Sequence, residues 1–490
     1  MLNSSFLGRR RGLNLTCALL AIGLWACDDG DDGGSSSGGA GGEAGAGAMG
    51  GAGGEAGMGG AGGEAGMGGA GGEAGMGGEA GMGGAGGEAG MGGAGGEAGM
   101  GGMGEAPVCP PSNYGQLDFA SIATPTEQIT HSPRVAWTGA EWGVIWTQEV
   151  ADSELDQLYF GRFDNTGTPA GETRALGQIQ TAAYDIVHTG SGYAAVWMNR
   201  RTPTDSFEGI RVQLLNGSGE PVGSASEVAS SFNAEQIALG WAPGVGGVLL
   251  FTRGRLGADG LFALPITPDG SLGEEVILSE GAARSPAVVY GNGNWGAVWF
   301  TPASPAEELP SSLIFQLLDE EDATPLTRGD GTLRRVQVAD NIAGQNHIAY
   351  GADIFGIGWS MVTPEGNLSP RLTLLDSEGD ILASPQLTGP MGYAVVTDVT
   401  WMDPQFFGVA WQDSPPEGSI RLGFSRFNTN GVSPDFYVMD YGREGIGEGL
   451  SIAGNLSRLG AFFTFDEDPQ PAGLSDSARV NFSTLGVCMP

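Results

Sequence analysis

The chain has 490 residues, a formal net charge of −36 and three histidines, and all 21 of its basic residues are arginine. The absence of lysine excludes a Schiff-base lysine and a phosphate-loop lysine. So acidic a chain repels phosphate backbones, and no basic stripe offsets this, so nucleic acid is not an expected partner.

The first element is a leader. "RRR" (9–11) precedes the apolar run "GLNLTCALLAIGLWA" (12–26), which is short for a permanent spanning helix. It ends in "LWAC", Leu24 to Cys27, which resembles the lipobox of bacterial lipoprotein signal peptides. That resemblance implies that residues 1–26 are a signal peptide and that Cys27 carries diacylglycerol on sulfur and an acyl chain on its new amine. The partner so implied is a membrane, held by several acyl chains at about 0.8 kcal/mol per buried CH₂. Ordinary secretion, with cleavage near Ala26, is the alternative.

Residues 27–106 hold the lipidated Cys27 and a low-complexity tether of glycine, alanine, glutamate and methionine with a few aspartates and serines. Its unit "AGGEAGMGG" recurs with period nine, and glycine takes every third position from Gly51 to Gly102. That spacing suits a collagen-like trimer, but the tether has no proline, so a disordered stalk is the expectation. As a flexible coil it has an end-to-end distance near ~50 Å.

From residue 107 to 490, short alternating runs bounded by Gly, Pro, Asn and Asp replace the tether. A first strand recurs as "RVAW" (134–137), "DIVH" (185–188), "QIAL" (236–239), "AVVY" (287–290), "HIAY" (347–350), "DVTW" (398–401) and "SIAG" (451–454). The spacings are 51, 51, 51, 60, 51 and 53 residues. A second strand follows, typified by "EWGVIWT" (141–147), with a bulky aromatic at Trp146, Trp197, Phe251, Trp299, Trp359, Trp411 and Phe463. A third strand, a turn such as "DNTG" or "NTNG", and a weaker fourth strand complete each unit.

Seven such units predict an all-β chain folded as a seven-bladed β-propeller of four-stranded blades. In that arrangement the aromatics pack between blades, and the small residue three positions earlier lets the neighbouring sheet approach. The seventh unit has three strands, and a spare strand, "LDFASIAT" (117–124), precedes the first unit, so it is predicted to complete the last blade. An exported chain allows Cys109 and Cys488 to pair across that seam. A free or metal-bound pair is the alternative, and with so few thiols and histidines no zinc site or other cofactor is expected.

The polar residues that open the first strands, Arg134, Asp185, Gln236, His347, Asp398 and Ser451, are the candidate ligand-binding set, placed near the channel mouth. Polar side chains in a wet channel are the plain alternative. The varied loops between second and third strands share that face with the inter-blade links, including "RGDGTLRRVQVADNIAGQ" (328–345). His188 takes an aromatic position and is expected to pack; "EED" (320–322) and "DED" (466–468) are expected to be solvated charge. "RGD" (328–330) matches an integrin-ligand tripeptide, a match that three residues reach by chance.

No G-x-S-x-G, H-E-x-x-H, C-x-x-C or phosphate-loop motif occurs, and the S-x-D-x-G-x-T-W box of sialidase propellers is missing. The lipobox, the stalk and the "WGVxW" phrase together resemble the Gly-rich-stalk, repeat-bearing lipoproteins of myxobacteria-like envelopes. The resemblance implies an exported chain, lipid-anchored at the outer membrane or cell surface, and carries no activity or site residues. Three functions follow as expectations: a monomeric propeller displayed to bind glycan or protein, an envelope glycan hydrolase using channel carboxylates, or a scaffold trimerised through the stalk. If the lipobox is used, Cys27→Ser will end palmitate labelling and move the chain to the soluble fraction. Labelling and membrane retention that survive the substitution would contradict it.

Overall fold

Short β-branched and aromatic runs broken every few residues by turn formers pair with their sequence neighbours. The computed structural model describes residues 120–121, 130–150, 153, 155–179, 183–199, 209–228, 234–254, 260–304, 309–387, 394–402, 405–413, 421–433, 435–440, 448–455, 458–465 and 479–485. The leader, Cys27, the tether, Cys109 and Cys488 lie outside the described residues, as do "DED" (466–468) and most loops between second and third strands. Among the described residues, 28 strands form seven four-stranded antiparallel sheets, the blades of a β-propeller.

Six blades take their strands consecutively. Blade one, for example, runs Thr130–Trp137, Trp142–Gln148, Asp156–Phe163 and Arg174–Ile179. Blade seven takes Glu448–Asn455, Arg458–Phe465 and Arg479–Leu485 from the C-terminal end of the chain. Its fourth strand is Ala120–Ser121, with Ala120 opposite Phe482 and Ser121 opposite Asn481. The spare N-terminal strand thus completes the last blade. One expected link proved to be strand: within residues 328–345, Arg335–Asp340 is the outer strand of blade four, and Ile342–Gly351 begins blade five. The alternation in "RVQVAD" explains it.

The recurring aromatic phrase is the second strand of each blade. Side chains alternate across it, so Trp142, Val144 and Trp146 turn to blade seven, clustering with Ala453 and Phe462. Ile145 turns the other way, to Tyr184, Ile186, Tyr193 and Trp197 of blade two. Equivalent clusters join blades two and three, three and four, four and five, and five and six.

Glycine sets the distance between sheets. A Cβ on Gly143 would lie 2.2 Å from the Tyr193 ring of the next blade. At Gly296 the intruder is Phe355 at 2.6 Å, and at Gly356 it is Phe407 at 2.6 Å. At Gly460 it is Trp142, 2.7 Å away, so blade one sits on blade seven by the same rule. The aromatic that fills each glycine gap lies four residues before the repeat tryptophan. The tryptophan itself also covers neighbouring backbone: Trp197 lies over Gly177 of blade one, and Trp411 over Gly423 of its own blade. Gly408 departs from the rule, meeting Phe424 and Met402 of its own sheet.

Outer hairpins are fixed by side-chain acceptors. Asp164 Oδ1 accepts from the N–H groups of Thr166 and Thr168 at 2.8 and 3.0 Å, and Gly167 turns at φ +79°. Asn216, Asp376 and Asn428 repeat the device. The "RGD" tripeptide belongs to a capped turn: Asp330 accepts from Thr332 N–H at 2.9 Å, and Arg328 pairs with Asp380 at 2.8 Å.

Gly143→Ala and Gly460→Ala will each lower the urea midpoint by the equivalent of about 1–3 kcal/mol, the usual cost of overpacking. Gly329→Ala, with nothing within 4 Å of its Cβ, will stay within about 0.5 kcal/mol of the parent. Equal effects at all three positions would contradict the inter-blade role.

Candidate functional site

The seven inner strands enclose a channel of about 710 Å³ that all six predicted polar residues line. Its geometry begins with bulges. In blade one, His131 pairs with Thr147 and Arg134 with Ile145, so Ser132 and Pro133 face Trp146 alone. Blade four repeats this opposite Trp299, and blade seven opposite Phe463. Blades three and six carry one extra residue, and blade five carries a wider interruption opposite Trp359. Arg134, Gln236, His347, Asp398 and Ser451 are each the residue at which pairing resumes. Bulges re-aim side chains, and here they present a polar level within the strands rather than at their opening residues: Arg134 is the fifth residue of Thr130–Trp137.

Most of that level is engaged in tying blades together. Asp185 accepts at Oδ1 from Ile186 N–H and at Oδ2 from Leu239 N–H of blade three, both at 2.9 Å. Asp398 occupies the matching position in blade six. It accepts from Val399 N–H at 2.8 Å, and its Oδ2 takes Ile452 N–H at 2.8 Å and the Ser451 hydroxyl at 2.9 Å, both from blade seven. Gln236 Oε1 accepts from Ser285 N–H of blade four at 2.6 Å.

The other junctions have ties of their own. Tyr184 donates to the Ser132 carbonyl at 2.6 Å, Ser285 to the Gly344 carbonyl at 3.4 Å, and Val396 N–H to Ser360 Oγ at 3.0 Å. Trp142 Nε1 donates to the Ala453 carbonyl at 3.1 Å and joins blade one to blade seven. Every junction around the ring therefore carries a polar tie.

Burial sets the ionisation of this level. It pushes the Asp398 carboxyl up to about 6, against the downward pull of Ile452 N–H, the Arg134 charge and the Ser451 hydroxyl. It raises Asp185 as well, with Arg134 and two backbone amides opposing. His347 is pushed down to about 3 by burial and by the Arg134 charge. Its Nδ1 lies 3.6 Å from Asp398, but a neutral imidazole there makes a polar contact rather than an ion pair. Ser451 donates to Asp398 and not to the histidine, so the three form no nucleophilic triad.

Two predicted residues, Arg134 and His347, have polar groups without a partner among the described residues. Arg134 has no hydrogen bond or ion pair among the described residues, and His347 Nε2 is buried without a partner. Sequence reasoning missed Asn346, which lines the channel with neither side-chain polar atom paired. The repeat alignment starts at His347, and only strand register shows the bulge before it. At the other end of the inner strands stand Trp137, His188, Tyr290, Tyr350 and Trp401, half-buried. Each packs on an aromatic at or near the start of its own second strand, with ring centres 4.6–6.1 Å apart. His188 is thus a packing residue, as expected. Glu320 differs from expectation: it accepts the Tyr290 hydroxyl, while Asp322 caps Thr324.

No family model and no curated protein matches the chain. Solved structures do. The polysaccharide lyase Uly1 is 10% identical over 73% of this chain and 90% of its own, with a TM-score of 0.48. An ulvan lyase bound to -[GlcA(1-4)Rha3S]- is 9% identical over 75% and 95%, with a TM-score of 0.48. The β-propeller domain of the Trilobed protease from Pyrococcus furiosus is 8% identical over 72% and 100%, with a TM-score of 0.42.

Asp398 has a folded pKa above the ordinary carboxyl value of 3.8, so its stabilisation is complete below 3.8 and is lost as pH rises through about 6. His347, depressed from 6.5 to about 3, works oppositely and loses stability as pH falls. Comparison of Asp398→Asn with the parent isolates the first effect. The urea-midpoint difference will shift in favour of the variant as pH rises from 3.8 to about 6. A difference that is flat across that window would return Asp398 to an ordinary carboxyl pKa.

Proposed function

We propose that the chain is an exported, lipid-anchored envelope protein that displays its propeller on the Gly-rich tether to bind a glycan or a protein. One observation carries the binding half of this reading. The Asp185 and Asp398 carboxylates are consumed by ties between blades, whereas Arg134 lines the same channel without a hydrogen-bond partner among the described residues. A site whose two inner-strand aspartates hold the scaffold and whose arginine is left without a partner favours recognition over transformation. Anchoring and tether come from the leader and the repeat, and they fit a module that works at a distance from its membrane.

A hydrolytic reading keeps one point in its favour, the Asp398 carboxyl raised to about 6, within range of a general acid. Against it, both Asp398 oxygens already accept hydrogen bonds that protonation or substrate contact would disturb. The two readings separate on a glycan array followed by product analysis. The binding reading expects full-length chain to be retained on a subset of glycans with no product released, and Asp185→Asn and Asp398→Asn to lower thermal stability. Product release that disappears in either variant would establish the hydrolase instead.

A further inference from the structure

The end of the channel away from the polar level is lined by aromatic side chains and a histidine. The inner strands of blades one to six bring Trp137, His188, Trp241, Tyr290, Tyr350 and Trp401 there, and blade seven brings Gly454. Each of the six is half-buried, whereas the aromatics on which five of them pack are fully buried. Neighbouring blades interlock at this level: Tyr350 lies over Gly291 of blade four, and Trp401 over Gly351 of blade five. The buried layer already fills the junctions, so the half-buried layer leaves apolar surface in contact with water, at a cost of about 25 cal/mol per Å². A patch of that kind, gathered around one opening, marks an interaction site.

Carboxylates are attached to this aromatic mouth. Tyr350 donates its hydroxyl to Asp353 at 3.0 Å, and Tyr290 donates to Glu320. The turns between third and fourth strands open on the same end, because Phe163, Leu318 and Asp376 pair with Trp142, Trp295 and Ile354. Those turns add Asp164, Asp269, Asp376 and the run "DEED" (319–322). The arginines among them, Arg162, Arg174, Arg328 and Arg334, are already paired with Glu141, Glu220, Asp380 and Glu378. Asp403 and Arg458, beside the turns of blades six and seven, balance one another in the sequence. Burial lowers the His188 pKa, so the imidazole adds no positive charge at neutral pH. Arg134 and Glu235 line the channel three and six residues before the aromatics of their own strands, toward its other end.

These two features together select a ligand. The C–H face of a pyranose stacks on an aromatic plane, and an ammonium is drawn both to the π face and to a carboxylate. A uronate or sulfate ester would bring like charge to an acidic mouth, and a neutral sugar would gain the stacking alone. An amino sugar with a free ammonium gains both.

We infer that this aromatic mouth binds a cationic amino-sugar unit of a glycan, with its C–H face on the rings and its ammonium toward Asp353 and Glu320. The inference rests on the glycan-binding reading above and narrows it to one class of sugar. It also puts the site at the end opposite the loops between second and third strands.

The test is isothermal titration of the full-length chain at about pH 6, where an amine is charged, with oligomers of glucosamine, N-acetylglucosamine and glucose of equal length and linkage. The glucosamine oligomer should bind tighter than either neutral one by about tenfold or more, a difference of about 1.4 kcal/mol, and should weaken as salt is raised. Asp353→Asn should weaken it by about threefold. The melting temperature should hold, because asparagine accepts the φ of +58° at this exposed turn. Trp137→Leu, which keeps apolar bulk against Trp142, should weaken it by about threefold or more. Glu280→Gln, exposed at the opposite end of blade three, should change nothing. Equal or tighter binding of a neutral oligomer, tighter binding of oligolysine, no loss in Asp353→Asn or Trp137→Leu, or the same loss in Glu280→Gln would each overturn the inference. A parallel glycan array separates it from the broader reading. Retention on other glycans with none on glucosamine refutes the amino-sugar site alone, and no retention on any glycan refutes both.

Discussion

How close one sheet lets its neighbour's aromatic ring come is the constraint on which the whole ring depends. Where the second strand carries glycine, as at Gly143, Gly296, Gly356 and Gly460, the neighbouring ring rests directly on backbone. A four-stranded sheet with two apolar faces has no stable free-standing form, so each blade is stabilised by the two it touches. The last contact, Trp142 on Gly460, follows the same chemistry as the others and leaves no unpaired face at either end. Closure is therefore the ordinary junction repeated once more, reinforced by the N-terminal strand in blade seven.

The same tryptophans shape the channel. Trp146, Trp299 and Trp359 stand opposite inner-strand bulges, so a packing residue on the second strand coincides with a re-aimed polar residue on the first. Bulges also release backbone N–H and carbonyl groups from the ladder, and buried groups of that kind need partners. Asp185, Gln236 and Asp398 supply them across blade junctions. At this level Asp185 and Asp398 are thus committed to junctions, while the groups without a protein partner among the described residues stand on blades one and five.

The blade strands were legible in the sequence because each depends on local alternation and on turn formers at fixed offsets. "RVAW", "DIVH" and their counterparts fall within the inner strands, and the tryptophan phrase falls within the second strands. What escaped depends on pairing between strands. No local signal announces that Ser132 and Pro133 bulge, or that Asn346 falls in the bulge of blade five. Nor does the sequence show that Asp185 and Asp398 reach the backbone of residues 54 positions onward. Their shared place in the repeat hinted at a common task, but a polar residue on an inner strand reads the same whether it meets a ligand or an amide. "RVQVAD" reads as part of a link in the sequence because an inserted turn, "RGDGTL", precedes it.

A ring without ends unfolds differently from a row of stacked sheets, in which terminal repeats open first. Native-state hydrogen exchange reads this directly through the amides of the inner and second strands of each blade. The closed ring requires blades one and seven to exchange with opening free energies equal to those of blades three to five. If blades one and seven open at clearly lower free energy than the middle of the chain, the Trp142–Gly460 junction is not closed in solution, and the channel built upon it is not formed.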